Sequence, residues 1–326
     1  MPRASIIVTA SNAADRLQDT LRSLCAQSFP DFEILVVDDG STDDSAELAE
    51  AFGDLRIRVL RQRTRGTAGA RNTGIAAARG CFVGFCDAGD CWAPTKLAEH
   101  VAQFQASPAV GLSYSGSEAL GPNGRRAALW KTPRKRGIGA AEIFKRNPVG
   151  PASAAMIRRA ALDSVAFRPP HESERDWWFD ETFRQVETLE LWLRFALVSD
   201  WEIVGIPSRL CSCCSAETTV PPVSVGKQIA AWERMVTKLS AQDRHFFGRH
   251  AAAARAYHLR HLARCAILAG EAPRAAQLLR AALASSLRPL AEEPRKTLAI
   301  CASGLVLYLS RLPLFARLPG ARGRSA

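Results

Sequence analysis

The sequence lacks two features of exported and membrane-spanning proteins, namely a secretory leader and a long apolar segment. Its longest nearly unbroken apolar stretch runs from Thr297 to Ser310 and contains 14 residues, whereas a helix that spans a bilayer needs about 20. The first residues, Met1 to Val8, lead straight into an apolar strand pattern without the charged and apolar regions of a signal peptide. We therefore expect a cytoplasmic protein.

Cysteine is present, but not in the patterns that bind zinc or form a disulfide framework. Nine cysteines, an odd number, are scattered over 326 residues, which is typical of reduced thiols in the cytosol. The one tight cluster, Cys211 with Cys213 and Cys214, is not accompanied by a second cysteine pair or a nearby histidine. The sequence therefore does not favour a zinc site at this cluster.

Acidic residues are scarce in the last hundred residues, and this scarcity accounts for the whole positive charge of the chain. The formal net charge is +11, yet residues 226–326 contain 17 Lys and Arg against 5 Asp and Glu, while residues 1–225 contain 26 against 27. Such a segment favours an acidic membrane surface or a nucleic acid as partner, or it is a solvated helical face. Because aromatic residues are not interleaved with the basic ones, a nucleic acid is the least favoured of the three.

Strand and helix patterns alternate through the first hundred residues. Apolar runs predict strands at 5–10, 32–37, 57–60 and up to residue 87, and helical periodicity follows the first three of them. This alternation predicts an α/β fold with a Rossmann-like, mostly parallel sheet, whose right-handed crossovers bring the loops after Ala10, Val37 and Phe85 to one edge. We expect a first domain at 1–217, a linker at 218–226 and a basic, α-helical C-terminal extension at 227–326.

Two of the predicted strands end in carboxylates. One run leads into Asp38 and Asp39, and another stops at Asp87, with Asp90 three residues further on. In open α/β sheets, ligands bind at the carboxyl ends of the strands. Carboxylates at that edge can hold a divalent cation or accept hydrogen bonds from ribose hydroxyls, and either task suits a nucleotide.

Several stretches, taken in this order, resemble family 2 glycosyltransferases. They are Val36–Asp43 (VVDDGSTD), Ala70–Gly80 (ARNTGIAAARG), the acidic strand end followed by Trp92, Pro94 and Leu97, the aromatic turn Trp177–Glu181 and the helix Glu187–Arg194. The resemblance covers about residues 4–215 and implies a GT-A-type nucleotide-sugar-binding domain. It also implies an inverting enzyme that moves a sugar from a nucleotide-diphosphate sugar to a glycan or lipid-linked acceptor of the cell envelope.

The same resemblance implies roles for residues at the sheet edge. Asp39 would bond the nucleotide base, and Asp87 would face the ribose and the metal. A divalent cation, Mg²⁺ or Mn²⁺, would be held by Asp87 with help from Asp90 and by the donor phosphates. Arg71 and Asn72 would form the wall below the nucleotide, although a salt bridge to one of the strand-end aspartates is an alternative use of Arg71.

The sequence departs from the family pattern at two important positions. Gly89 stands where the family has the second acid of its DxD metal motif, so one metal ligand is missing. Thr188 stands where the family has the aspartate that deprotonates the acceptor, and threonine cannot serve as a base near neutral pH. Glu187 and Glu190 are the remaining candidates, although on a helix they point about 100° and 200° away from residue 188.

Three functions remain open at this point. The first is an active glycosyltransferase whose base has been relocated to Glu187 or Glu190. The second is a degenerate relative that binds a nucleotide sugar or a partner without turnover, and the third is an unrelated nucleotide-binding or nucleic-acid-binding protein. Donor hydrolysis and nucleotide binding, measured together, distinguish these three classes.

The basic extension predicts peripheral attachment to the inner face of a membrane. An apolar stretch, Leu298 to Leu309, is followed by four arginines, which are Arg311, Arg317, Arg322 and Arg324. Apolar insertion and attraction to acidic headgroups would then act together. The alternative is that this stretch packs on the helices that precede it.

Overall fold

The computed structural model describes residues 1–120, 133, 136–214 and 224–310. The chain divides into two compact units, residues 1–143 with 147–215, and residues 144–146 with 216–326. The predicted domain limits at 217 and 226 stay a prediction, because residues 215–223 lie outside the described part of the chain.

The first unit is a mixed α/β structure. Its strands are β1 (Ala4–Ala10), β2 (Phe32–Asp39), β3 (Ile57–Gln62), β4 (Phe82–Asp87), β5 (Cys91–Trp92), β6 (Val110–Leu120), β7 (Ala155–Arg158) and β8 (Glu202–Cys214). The helices before residue 200 are α1 (Ala14–Cys25), α2 (Ser45–Glu50), α3 (Gly66–Ala77), α4 (Lys96–Ala106), α5 (Ala140–Arg146), α6 (Arg159–Asp163) and α7 (Glu187–Val198). The predicted Rossmann-like fold class is confirmed.

The strands form one sheet in the order β3-β2-β1-β4-β7-β6-β8-β5. β1 pairs in parallel with β2 and with β4, and β2 pairs in parallel with β3, so the predicted parallel half is present. The remaining strands add antiparallel pairings of β7 with β4 and β6 and of β5 with β8, together with a parallel pairing of β6 with β8. The strand order reverses between β1 and β4, which makes their carboxyl ends a topological switch point.

The central strands are buried and mostly apolar because helices cover both faces of the sheet. Ile6, Ile7 and Val8 of β1 are completely buried, and every residue of β2 is buried. Helix α3 lies close against β1, since a Cβ atom at Gly74 would come within 2.4 Å of Ile7 Cγ2. This approach fixes the position of the helix that carries Arg71 and Asn72.

The second unit contains the helical extension. Its helices are α8 (Ser224–Ser240), α9 (Arg244–Leu268), α10 (Ala272–Ser285), α11 (Arg288–Glu292) and α12 (Pro294–Leu309). α9 and α10 form a helical hairpin, with Gly270 at φ +74° in the turn and a core that includes Leu259, Leu262 and Leu278. Within the described residues, no helix has both the length and the apolar character needed to cross a bilayer.

A buried lysine lies in the core of the first unit, between α4 and the sheet. Lys96 Nζ donates hydrogen bonds to Ser115 Oγ and to the carbonyl oxygen of Ala154, both at 3.0 Å, and lies 3.2 Å from His100 Nε2. Burial lowers the pKa of Lys96 to about 8, because removal from water disfavours the charged form.

This lowered pKa predicts a pH dependence of stability. Between the folded pKa of about 8 and the model value of 10.5 the unfolded state binds more protons at Lys96, so stability rises with pH across this window. The free energy of unfolding of the wild type, minus that of the Lys96→Met variant, should increase by up to about 3 kcal/mol from pH 7.5 to pH 10. Urea unfolding at several pH values measures this difference, in which the other titrating groups cancel. A pH-independent difference would show that Lys96 is not buried as described.

Candidate active site

Asp87 lies at the switch point between β4 and β1. Thr9 is its register neighbour on β1 and donates a hydrogen bond from Oγ1 to Asp87 Oδ1 at 2.7 Å. The Asp87 side chain is 37% exposed, so its carboxylate faces solvent at the carboxyl edge of the sheet, where ligands bind in folds of this kind.

Arg71 of α3 binds the Asp87 carboxylate from below. One guanidinium nitrogen of Arg71 donates to both Asp87 oxygens, at 2.8 and 3.0 Å, and the guanidinium lies 5.2 Å from the centre of the Phe179 ring. Its side chain is only 3% exposed. The salt bridge to Asp87, considered as an alternative from the sequence, is therefore present.

The other terminal nitrogen of Arg71 reaches the first turn of α7. It donates to Thr188 Oγ1 at 3.1 Å and to Glu187 Oε1 at 3.3 Å. Burial tends to lower the pKa of Arg71, but the charges of Asp87 and Glu187 outweigh it and raise that pKa above its usual value. One charged guanidinium thus joins the end of β4 to the start of α7.

Glu187 has an unused oxygen at this junction. Its Oε1 accepts from Arg71, whereas Oε2 is buried and has no hydrogen-bond partner in the structure. Buried polar atoms are usually paired, so an orphaned carboxylate oxygen beside the open edge needs an explanation. A carboxylate oxygen without a partner can accept a hydrogen bond or a proton.

Glu190 has a different environment from Glu187. It is completely buried, and its two oxygens accept hydrogen bonds from Arg194 at 2.9 and 3.0 Å. A carboxylate held in this way has no path to a substrate hydroxyl. The geometry therefore argues against the expectation that Glu190 acts as a base and gives it a structural role inside the unit.

Asp39 holds the start of α3. Its Oδ1 accepts from the backbone N–H of Arg65 at 2.7 Å and from Gln62 Nε2 at 2.6 Å, and its Oδ2 accepts from the N–H of Gly66 at 2.8 Å. These bonds satisfy amides at a helix N-terminus, where a negative charge is also favourable. Contact of Asp39 with a nucleotide base stays a prediction.

Asn72 does not line an open surface. It is completely buried; its Nδ2 donates to Phe179 O at 2.8 Å and to Glu181 Oε1 at 2.9 Å, while its Oδ1 accepts from the N–H groups of Trp178 and Phe179. Asn72 therefore shapes the wall of the site indirectly, because it fixes the aromatic turn at 177–181.

Sequence reasoning missed an ion-pair cluster beside Asp39. Arg65 binds Glu172 and Glu181, each at 2.9 Å, and borders an open cavity of about 540 Å³. A hydrogen bond from the backbone of Glu174, together with bonds from Trp177 and Arg65, lowers the pKa of Glu172 to about 2. Only Glu181 belonged to a stretch singled out from the sequence; nothing in the local pattern points to Arg65 or Glu172.

The expected metal pair, Asp87 with Asp90, stays a prediction. Among the described residues, the one group of three ligand-type side chains close enough to share an ion joins Asp90 to Cys211 and Cys213 and does not include Asp87. Gly89 has φ +103°, a conformation that an aspartate would adopt only with strain. The Asp87 side chain is 37% exposed, and Mg²⁺ can be bound by one or two carboxylates together with substrate phosphates.

Comparisons with known proteins give a family match. The family model described as Glycosyl transferase family 2 matches residues 5–166. The uncharacterized glycosyltransferase EpsJ of Bacillus subtilis is 45% identical over 92 residues, which are 28% of this chain and 27% of EpsJ. The succinoglycan biosynthesis protein ExoU of Rhizobium meliloti is 32% identical over 210 residues, 58% of this chain and 55% of ExoU.

A third relative is the Escherichia coli protein WfaP, named a UDP-Glc:alpha-D-GlcNAc-diphosphoundecaprenol beta-1,3-glucosyltransferase. It is 34% identical over 116 residues, 35% of this chain and 46% of WfaP. The chain thus spans from about a quarter to about half of the length of the curated relatives EpsJ, WfaP and ExoU.

Solved structures share the fold. S. aureus TarS 1–349 in complex with UDP-GlcNAc has a TM-score of 0.61 at 18% identity, covering 94% of this chain and 89% of that one. The mannosyltransferase PcManGT from Pyrobaculum calidifontis, in complex with GDP-Man and Mn²⁺, has a TM-score of 0.52 at 20% identity, covering 97% and 82%. At such identities the likeness shows the fold alone.

The Arg71 junction predicts a large and specific loss of stability. Arg71→Met leaves the carboxylates of Asp87 and Glu187 without their shared cation, which should cost about 3–5 kcal/mol of unfolding free energy. The matched control is Arg61→Met, because Arg61 also binds two carboxylates, Glu47 and Glu50, but is 51% exposed. The Arg61→Met variant should lose no more than about 1 kcal/mol of unfolding free energy. Urea unfolding compares the two variants, and equal losses would contradict this account of the junction.

Proposed function

Because the chain belongs to glycosyl transferase family 2 through residues 5–166, we propose that it transfers a sugar from a nucleotide-diphosphate sugar to a cell-envelope acceptor. The observation that carries this proposal is the half-exposed Asp87 carboxylate at the switch point, joined through Arg71 to the start of α7. A donor site and an acceptor-side helix meet there. The acceptor is a glycan or a lipid-linked saccharide.

The donor occupies the carboxyl edge of β1, β2 and β4. The TarS and PcManGT complexes contain UDP-GlcNAc and GDP-Man, which supports a nucleotide-diphosphate sugar as the ligand class. Asp39 lies near the base and Asp87 near the ribose and diphosphate. A divalent cation, Mg²⁺ or Mn²⁺, bound by Asp87 and the diphosphate would neutralise the leaving group.

Glu187 is the proposed base. The acceptor hydroxyl attacks the anomeric carbon, the bond from that carbon to the diphosphate oxygen breaks, and the hydroxyl proton passes to Glu187 Oε2. A single displacement of this kind inverts the anomeric carbon. Thr188 accepts a hydrogen bond from Arg71 and so holds the guanidinium in place.

A donor-binding protein without turnover is the second candidate. The observation that favours it is the engagement of Asp87, Glu187 and Thr188 by a single buried arginine, combined with Gly89 at the missing ligand position. Such a protein would bind the nucleotide sugar but would not release the nucleoside diphosphate.

The first test separates binding from chemistry at the site. Calorimetry with nucleotide-diphosphate sugars should give an affinity that Asp87→Asn weakens, because a charged hydrogen bond contributes about 1.5–3 kcal/mol. Glu187→Gln should keep the donor affinity but lower nucleoside diphosphate release by about 10²–10⁴-fold. The matched control is Glu50→Gln, since the Glu50 side chain is 53% exposed and binds Arg61 instead of Arg71.

Each outcome of that test has a consequence. Unchanged turnover in Glu187→Gln would mean that the base lies elsewhere. Donor binding without any nucleoside diphosphate release by the wild type would support the second candidate. Absence of binding to any nucleotide-diphosphate sugar would reject both.

The basic helical unit is proposed to place the enzyme on the cytoplasmic face of an anionic membrane. On α12, the apolar residues Leu298, Leu305 and Val306 are 58%, 58% and 66% exposed and, at a spacing of seven and eight residues, share one face of the helix. The opposite face packs, since Gly304 approaches Leu279. The sequence left two alternatives for this stretch, insertion into a membrane and packing on the preceding helices. One face of α12 packs, and the other face is exposed.

Charge supports the choice of a bilayer as the partner of this face. Residues 226–326 contain 17 basic against 5 acidic residues, and each Lys or Arg near an acidic leaflet contributes about 1 kcal/mol. The four arginines after Ser310 that entered the sequence expectation lie outside the described residues. The apolar face of α12 would add a contribution that salt does not weaken.

Liposome flotation tests this attachment. The intact protein should float with vesicles that contain acidic lipid, should bind less as salt is raised, and should lose most of its binding in the double variant Leu305→Asp with Val306→Asp. The control is Leu55→Asp, because Leu55 is a fully exposed leucine of the first unit. No flotation at low salt, or equal flotation of the double variant, would reject the proposal.

A further inference from the structure

Asp90 and two cysteines are brought together by the pairing of β5 with β8. In this antiparallel pair Trp92 lies opposite Cys211 and Cys91 lies opposite Ser212, so one further step places Asp90 opposite Cys213. Alternate residues of a strand point to the same side. Cys211 and Cys213 therefore share a face, and Asp90 is the cross-strand neighbour of one and the diagonal neighbour of the other.

The distances in this group fit a small, thiophilic cation. One carboxylate oxygen of Asp90 and the Sγ atoms of Cys211 and Cys213 all lie within 4.8 Å of one another, and the two Sγ atoms are 3.4 Å apart. In a tetrahedral zinc site with bonds of about 2.3 Å to sulfur, two sulfurs are roughly 3.8 Å apart. The observed separation of the two sulfurs is therefore about 0.4 Å shorter than in such a site.

The surroundings of the group also suit an ion. Asp90 and Cys211 are 7% and 3% exposed, so an ion bound between them would be largely shielded from solvent. Lys96 interacts electrostatically with Cys211 and Cys213, so its ammonium would balance the third negative ligand. Cys211 also lines an adjacent cavity of about 290 Å³, which provides an entry path and room for a water as fourth ligand.

We propose that Asp90, Cys211 and Cys213 bind a zinc ion. Two thiolates with one carboxylate favour this metal over the oxygen-bound Mg²⁺ of the donor site. The ion would hold the turn that carries Asp87, because the N–H of Asp90 donates to the carbonyl oxygen of Asp87 at 2.9 Å. The site is structural and is separate from the donor-bound cation.

Metal binding by the full-length protein tests this site without reference to activity. Protein purified in reductant and dialysed after incubation with Zn²⁺ should retain about one zinc per chain by atomic emission. Titration with Co²⁺ should give the thiolate-to-cobalt charge-transfer absorption and the visible bands of a tetrahedral site, and Zn²⁺ should displace both.

Variants assign the ligands. Cys213→Ser and Cys211→Ser should lose the charge-transfer absorption, and Asp90→Asn should weaken cobalt binding at least about tenfold. The control is Cys81→Ser, which removes an exposed thiol outside the group and should bind Co²⁺ like the wild type. Circular dichroism verifies that each variant is folded, and the wild-type titration stands even if a variant is not.

Three results would overturn the proposal. The first is a wild-type protein that retains no zinc and gives no cobalt absorption. The second is a charge-transfer band that survives in both cysteine variants. The third is a mass deficit of two hydrogens, mapped to a Cys211–Cys213 disulfide in protein kept in reductant.

Discussion

The charge balance around Arg71 is the interaction on which the candidate site depends. A guanidinium that is 3% exposed shares its hydrogen bonds between Asp87 at the end of β4 and Glu187 and Thr188 at the start of α7. Removal of a charge from water is costly unless its partners are in place. The end of β4 and the start of α7 are therefore positioned relative to each other by one side chain, and α3 can deliver that side chain because Gly74 lets it approach β1.

This arrangement gives an account of the substitution at residue 188. An aspartate at residue 188 would give Arg71 a further negatively charged partner, and threonine does not. Glu187 provides a negative charge beside Arg71 instead. The Oε2 atom of Glu187 is buried without a hydrogen-bond partner, and it is the atom proposed to take the proton of the acceptor hydroxyl. Gly89 is explained in a similar way, because the turn between β4 and β5 requires φ +103° at that residue, whatever acid the family has there.

The parallel half of the sheet and Asp87 at the switch point could be predicted from sequence, because apolar runs and the acids that end them are local signals. The roles of Glu187 and Glu190 could not be separated, since helical periodicity gives the angle between two side chains but not which face of the helix is buried. The partnership of Asp90 with Cys211 and Cys213 was missed for another reason. It depends on the register between strands that are more than a hundred residues apart in sequence, whereas the cysteine spacing alone argues against a metal.

The helix-capping bonds of Asp39 have a consequence for how a nucleotide is read. The same carboxylate that is proposed to meet the base closes the first turn of α3 through the N–H groups of Arg65 and Gly66. Any hydrogen bond from a base to Asp39 competes with those amides or adds to a carboxylate that already accepts three donors. If Asp39 contacts the base as proposed, discrimination between bases would be a difference between two sets of hydrogen bonds, coupled to fraying of the first turn of the helix that carries Arg71.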